Sequence, residues 1–79
     1  MQVRVRYFAI FREATGVDTE RVETNAASAR ELFAEMAEKH SAMRSEPAAL
    51  VAINDQMSDW HSPIRDGDVI LFFPPVAGG

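Results

Sequence analysis

Apolar and polar residues alternate from the start of the chain. In QVRVRYF, residues 2–8, Val3, Val5 and Tyr7 fall on one side of an extended backbone and Arg4, Arg6 and Phe8 on the other, the two-residue period of a half-buried strand. Phe8 breaks the chemistry of its own side. Either the strand bends there, or the ring sits at the surface beside two arginines as a candidate contact residue, or the alternation simply lapses at a strand end. Gly16 in EATGVD marks a turn, and TERVETN, residues 19–25, reads as a shorter second strand. Together they predict an N-terminal hairpin with a loop longer than two residues.

The period then changes. In SARELFAEMAEKH, residues 28–40, Ala29, Leu32, Phe33, Met36 and Ala37 recur at the spacing of one apolar helical stripe. Ser28 with Glu31 three residues on is a capping box, and Lys39 and His40 place positive charge in the last turn, where it suits the helix dipole. SAMRSEP reads as a loop closed by Pro47, ALVAIN as a short apolar strand, and DQMSDWHSPIRDGD as a long polar connection with a tight Asp-Gly turn. VILFF, residues 69–73, is uninterrupted and apolar, as expected of a strand in the middle of a sheet. Its unbroken run gives no parity, so it leaves open whether Phe72 or Phe73 faces the helix.

The order is strand, strand, helix, strand, strand (ββαββ). It predicts a single α+β domain over residues 1–79, with a mixed sheet of four or five strands and one main helix on one of its faces. The other face is then solvated or docks on something. A chain of 79 residues buries only about 60% of the surface it exposes when unfolded, so its stability margin is narrow. There are no repeats and no linker.

Composition narrows the chemistry. The formal net charge of −4 argues against nucleic acid or an anionic membrane surface as the main partner. No cysteine is present, so there is neither a disulfide framework nor a thiol nucleophile. The N-terminal apolar run is short and interrupted by Arg4 and Arg6, unlike a signal peptide or membrane span. A cytoplasmic setting is expected. His40 and His61 lack metal-ligand spacing and read as surface histidines, so no metal site is expected. Trp60 reads as a loop anchor over the core. Glu31, Glu35 and Glu38 form a solvated helix face, with Glu35 and Lys39 as an i,i+4 pair, and do not resemble paired catalytic carboxylates. Arg4, Arg6 and Arg12 form either a small basic strip or ordinary solubilising charge.

What remains is the ending FFPPVAGG, residues 72–79. Pro74 and Pro75 remove two ladder donors and fix φ, so the strand stops abruptly and a stiff segment leaves the sheet. Residues 74–79 read as a flexible C-terminal tail that spans at most about 20 Å, enough to enter a partner's cleft. Val76 and Ala77 are able to pair edgewise by strand addition. Gly78 lets the end pass a narrow channel, and Gly79 leaves the terminal carbonyl unhindered. That carboxylate, with an ordinary pKa of about 3.3–3.7, is a poor electrophile at neutral pH and needs activation, as in a mixed anhydride with AMP. Frayed small-residue ends are also common, so Gly-Gly alone is weak.

The element order and the Gly-Gly end resemble the ubiquitin-like β-grasp sulfur carriers. Within that group DGDVILFFPPVAGG (66–79), VRYFAIFREATG (5–16) and the AIN strand (52–54) resemble the small subunit of molybdopterin synthase. The resemblance spans the whole chain. It implies a non-catalytic sulfur donor with no bound cofactor. An E1-like adenylyltransferase (MoeB-like) uses ATP-Mg to adenylate Gly79, and a persulfide then converts the carboxyl to a thiocarboxylate. The loaded tail inserts into the large subunit of molybdopterin synthase (MoaE-like), which holds the catalytic residues, and sulfur passes to cyclic pyranopterin monophosphate to form the molybdopterin dithiolene. The assembly so implied is a heterotetramer. The same resemblance places partner contacts on Phe8, Met57 and Phe73, with Pro74, Pro75, Val76 and Ala77 as the tail and Gly78 as its access element. Met57 departs from the family's usual leucine-like residue. Carriers for thiazole synthesis, tRNA thiolation or cysteine synthesis share the fold but usually lack the Pro-Pro pair, and a β-grasp binding module with an incidental Gly-Gly is a third alternative.

Overall fold

The computed structural model describes residues 1–45 and 49–75. Eight elements follow one another: β1 (Gln2–Tyr7), α1 (Ile10–Thr15), β2 (Thr19–Glu23), α2 (Ala29–Lys39), a 3-10 turn (Ser41–Ser45), β3 (Leu50–Ile53), β4 (Gln56–Ser58) and β5 (Val69–Phe73). The five strands make one mixed sheet in the order β2-β1-β5-β3-β4. β5 runs parallel to β1 and antiparallel to β3. It is therefore paired on both sides, as its continuous apolar sequence requires.

α2 lies across one face of this sheet. Its Ala29, Leu32, Met36 and Ala37 are buried, and Phe33 packs against the core from its edge. They meet Val3, Val5 and Tyr7 of β1, Val22 of β2, Val51 of β3, and Ile70 and Phe72 of β5. The helix begins where Ser28 Oγ accepts from the Glu31 N–H, at 3.3 Å. Two further N–H groups at its start, those of Ala29 and Arg30, donate to the carbonyls of Ser62 and Trp60 at 3.0 Å each. The loop before β5 thus satisfies donors that a helix start leaves without partners and seats Trp60 over the core. There Trp60 stacks on Phe72 (centroids 6.0 Å, 20°) and meets Phe33 edge-on at 5.3 Å, while Phe33 meets Phe72 at 5.0 Å.

Three connections hold more structure than expected. The β1–β2 link contains the six-residue helix α1, whose Phe11 is fully buried and whose C-cap Gly16 is left-handed at φ 80°. Ala9, at φ 54°, turns the chain out of β1 to start it. The polar connection after β3 contains β4, reached through the two-residue turn Asn54–Asp55, both at positive φ (51° and 69°), as a tight hairpin of this handedness requires. SAMRSEP is helical over Ser41–Ser45, with Met43 fully buried, while Pro47 lies outside the described residues.

The parity left open in VILFF is settled by register. Tyr7 pairs with Phe72 and Arg6 with Leu71, so Phe72 shares the core face with Tyr7 and is fully buried, whereas Phe73 faces the opposite side and is half-buried. Replacing Phe72 by Ala is expected to remove about 3–5 kcal/mol from a total of about 4–12 kcal/mol for a chain of this length. Phe73→Ala is expected to cost only about 1 kcal/mol. Urea unfolding of the two variants tests the assignment, and equal losses would contradict it.

Candidate functional site

The sheet face turned away from α2 is divided in two. Strand parity and register put Arg21 of β2, Arg4 and Arg6 of β1, and Val69, Leu71 and Phe73 of β5 on it. Leu50 and Ala52 of β3, and Met57 of β4 opposite Ala52, complete it. Phe8 continues the β1 ladder, its N–H donating to the Phe72 carbonyl at 3.1 Å, which sets it beside Phe73. Phe8 and Met57 are the most exposed large apolar residues among those described, at 62% and 65%. Phe73, Leu50 and Leu71 lie half-buried between them, and Ala52 is covered although the helix lies on the other side. Together they form a contiguous apolar patch.

Phe8, Met57 and Phe73 are thus brought onto one face by three separate local causes. The turn at Ala9 ends β1 with Phe8 outside. The two-residue hairpin fixes the Ala52–Met57 pairing. Burial of Phe72 forces Phe73 to the other side, since consecutive strand residues point oppositely. Pro74 is half-buried and Pro75 exposed where β5 ends. Val76, Ala77, Gly78 and Gly79 lie outside the described residues.

The Asp-Gly-Asp preceding β5 ties the start of this strand to the start of β1. Asp66 Oδ1 accepts from the Gln2 N–H at 2.7 Å, the Gly67 N–H donates to the Gln2 carbonyl at 2.7 Å, and the Arg4 N–H donates to the Asp68 carbonyl at 2.9 Å. Asp68 also accepts from the Arg65 N–H through Oδ2 and from the Asn54 side-chain amide through Oδ1, at 2.8 and 2.9 Å. Gly67 sits at φ 85°, a left-handed backbone that glycine adopts most easily. The motif holds β5 in register, and so sets where Phe73 and Pro74 emerge.

On the helix side the electrostatics differ from expectation. His40 is not a surface histidine. Its side chain is only 17% exposed, with Nε2 2.8 Å from Glu20 Oε2, and its ring meets Tyr7 edge-on at 5.9 Å. Lys39 does not pair with Glu35. Its Nζ donates to Glu20 Oε1 at 2.6 Å, while Glu35 accepts from the Thr24 hydroxyl. Glu20 also accepts from the Tyr7 hydroxyl at 2.6 Å. Burial alone pushes the Glu20 carboxyl up, but hydrogen bonds from Lys39, Tyr7 and His40, with the charge of Lys39, outweigh it and hold it at about 2. Burial, then the hydrogen bond and charge of Glu20, push the Tyr7 hydroxyl well above its ordinary value. This cluster joins β1, β2 and the end of α2, and all four of its members have partners, so it acts as a structural clamp. No signal near Glu20 itself reveals it, because Lys39 and His40 approach only in the folded chain.

His61 is exposed, and Trp60 is the core anchor expected of it. Arg12 of α1 pairs with Asp18, just before β2, at 3.4 Å and does not join Arg4 and Arg6, whose neighbour is instead Arg21. Among the described residues no three His, Asp or Glu side chains gather as a metal site, and no helix is long and apolar enough to cross a membrane.

A helix held in one face of a five-stranded mixed sheet, with an apolar patch on the other and Pro-Pro at the end of the central strand, defines a ubiquitin-like β-grasp protein. The chain belongs to the ThiS family, whose model matches residues 5–79. It is 39% identical to the molybdopterin synthase sulfur carrier subunit of Haemophilus influenzae over 98% of this chain and 99% of that one. To the subunit of the same name from Escherichia coli it is 30% identical, with the same coverage. A chain in the solved protein–protein complex of subunits 1 and 2 of the molybdopterin-converting factor from Helicobacter pylori superposes with a TM-score of 0.71, at 34% identity and with both chains fully covered.

The clamp predicts an acid dependence. Glu20 titrates at about 2 in the fold against an ordinary 4.5, so its contribution is fully present above 4.5 and is lost as the pH falls through about 2. Urea midpoints measured between pH 5 and pH 2 should fall more steeply for the unaltered chain than for Glu20→Gln. Parallel profiles would refute the clamp.

Proposed function

We propose that this chain is the sulfur carrier subunit of a molybdopterin synthase, a cytoplasmic protein that works by presenting its C-terminal carboxyl and has no catalytic side chain of its own. The reading is carried by one observation: a chain similar over its full length to sulfur carrier subunits has a central strand that runs directly into Pro-Pro-Val-Ala-Gly-Gly.

The chemistry follows from what a carboxylate needs. At neutral pH the Gly79 carboxylate resists attack, so an adenylyltransferase first joins it to AMP, using ATP-Mg and releasing pyrophosphate. The terminal sulfur of a persulfide then displaces AMP to give an acyl disulfide, and a thiol attacks the donor-side sulfur of that bond, so that a disulfide is left on the donor and the chain leaves as a thiocarboxylate. Glycine at 78 and 79 presents no side chain to the attacking sulfur or to the walls of a narrow channel. The large subunit of the synthase receives the loaded tail and transfers its sulfur to cyclic pyranopterin monophosphate. Two loaded copies supply the two sulfurs of the dithiolene. The synthase is then a heterotetramer, as two carriers serving two large subunits require.

Within this reading the apolar patch has a defined role. Phe8, Met57 and Phe73 hold the body of the carrier against its partner, while Pro74 and Pro75 direct residues 76–79 into the cleft. That Phe73 and Phe72 are neighbours on one rigid strand supports it, because the contact and the fold anchor then move as one unit.

Incubation with ATP-Mg, the activating enzyme and a sulfur source should raise the intact mass by the difference between sulfur and oxygen. Loaded chain mixed with the large subunit and cyclic pyranopterin monophosphate should then yield molybdopterin. Deleting Gly79, or adding one residue after it, should abolish loading and leave the unfolding midpoint unchanged. Loading that survives either change would overturn the proposal, and thiazole or thiolated tRNA appearing in place of molybdopterin would assign the carrier to another pathway.

A further inference from the structure

The polar half of the outer sheet face breaks a local rule. Arg4 of β1 and Arg21 of β2 are direct register partners in an antiparallel pair, and both are exposed. Like charges placed directly opposite one another on a sheet destabilise it. Arg6 stands two residues along β1 on the same face, with Thr19 on one side and Leu71 on the other, so it adds a third guanidinium and no counter-charge. Among the described residues the ion pairs are Met1–Glu23, Arg12–Asp18, Lys39–Glu20, His40–Glu20 and Arg44–Glu38, and none includes Arg4, Arg6 or Arg21.

The nearest acids on this side are already engaged. Glu23, opposite Gln2, takes the N-terminal amine at 3.1 Å, and Asp66 takes the Gln2 N–H. Glu20, between Thr19 and Arg21, points through the sheet to the helix clamp. In a chain of net charge −4, three arginines collected on one face, with no ion pair to any described carboxylate and with Glu23 and Asp66 bonded to other groups, represent a local surplus of positive charge. Sites that violate a local rule in this way are where function is found.

Placement says what the surplus is for. Arg4 is in register with Val69, and Arg6 with Leu71. Leu71 is in turn in register with Ala52, and Ala52 with Met57. The cationic strip is therefore continuous with the apolar patch, in the same rows of the same sheet. Arg4 and Arg21, with Val69 and with Asp66 at the edge beside Gly67, border a shallow depression of about 590 Å³ open to solvent. A partner that covers Phe73 and Met57 has to lie beside the strip, and carboxylates on that partner would relieve the Arg4–Arg21 repulsion.

We propose that Arg4, Arg6 and Arg21 are a docking strip for an acidic segment of the large subunit, one that borders the apolar patch and speeds and orients association. This rests on the functional reading above, which supplies the partner. Guanidinium groups suit the task because each presents a planar fork of donors that matches a carboxylate bidentately. Charges at the rim of an interface act mainly on the association rate and on its salt dependence.

The test is the association rate of the full chain with the large subunit from the same organism, measured at low and high salt for the unaltered protein, Arg21→Glu and Arg4→Glu/Arg6→Glu. Arg21→Glu places an acid opposite Arg4, so its unfolding midpoint should rise while its association slows by roughly tenfold at low salt. The double variant should slow association further. Both differences should shrink at about 1 M salt, where the screening length is about 3 Å. Rates equal to that of the unaltered chain at low salt would overturn the strip while leaving the functional reading intact. No binding by the unaltered chain at any salt overturns both. Unchanged association with the large subunit, together with lost binding of a single-stranded oligonucleotide, would give the strip to nucleic acid and overturn the proposal.

Discussion

The structure depends on the seating of one ring. Phe72 lies at the middle of the sheet under α2, stacked by Trp60 and met edge-on by Phe33, and its burial fixes the rotation of β5 about its own axis. Since strand side chains alternate, that one choice sends Leu71 and Phe73 to the opposite face and sets the direction in which Pro74 leaves. In a domain with a narrow stability margin, the strongest part of the core is thus placed directly behind the residues proposed to work. The Asp-Gly-Asp turn fixes the same strand along its length, because a slip of one residue would exchange the two faces.

Much of this was legible in the chain. The alternation of residues 2–8 offered a Phe8 at the surface as one of three readings, and the stripe and cap of residues 28–40 defined the main helix. The proline pair marked the end of the last strand. What was hidden was hidden for physical reasons. VILFF is apolar on both faces, so only pairing with Tyr7 and Arg6 distinguishes Phe72 from Phe73. α1 buries one large residue, Phe11, in six, too few for a periodic signal, although Gly16 was there as a left-handed cap. β4 is three residues long, and its one clue was Asn54–Asp55, a pair suited to positive φ. The burial of His40 and the pairing of Lys39 depend on Glu20, which is distant in sequence.

The two faces of the sheet divide the protein's tasks. One is occupied by folding, through the aromatic cluster and the Glu20 clamp. The other carries an apolar patch beside three arginines that form no ion pair among the described residues. On the proposed function, a carrier handed from an activating enzyme to a synthase needs a surface of this kind, able to be covered and released without disturbing the core.

The most direct measurement uses methyl-labelled chain titrated with the large subunit. The outer-face methyls of Leu50, Met57 and Leu71 should shift on binding, while those of Leu32, Met36 and Met43 on the helix side hold their positions. Shifts confined to the helix side, with Met57 unmoved, would contradict the assignment of the outer face as the surface that meets the partner.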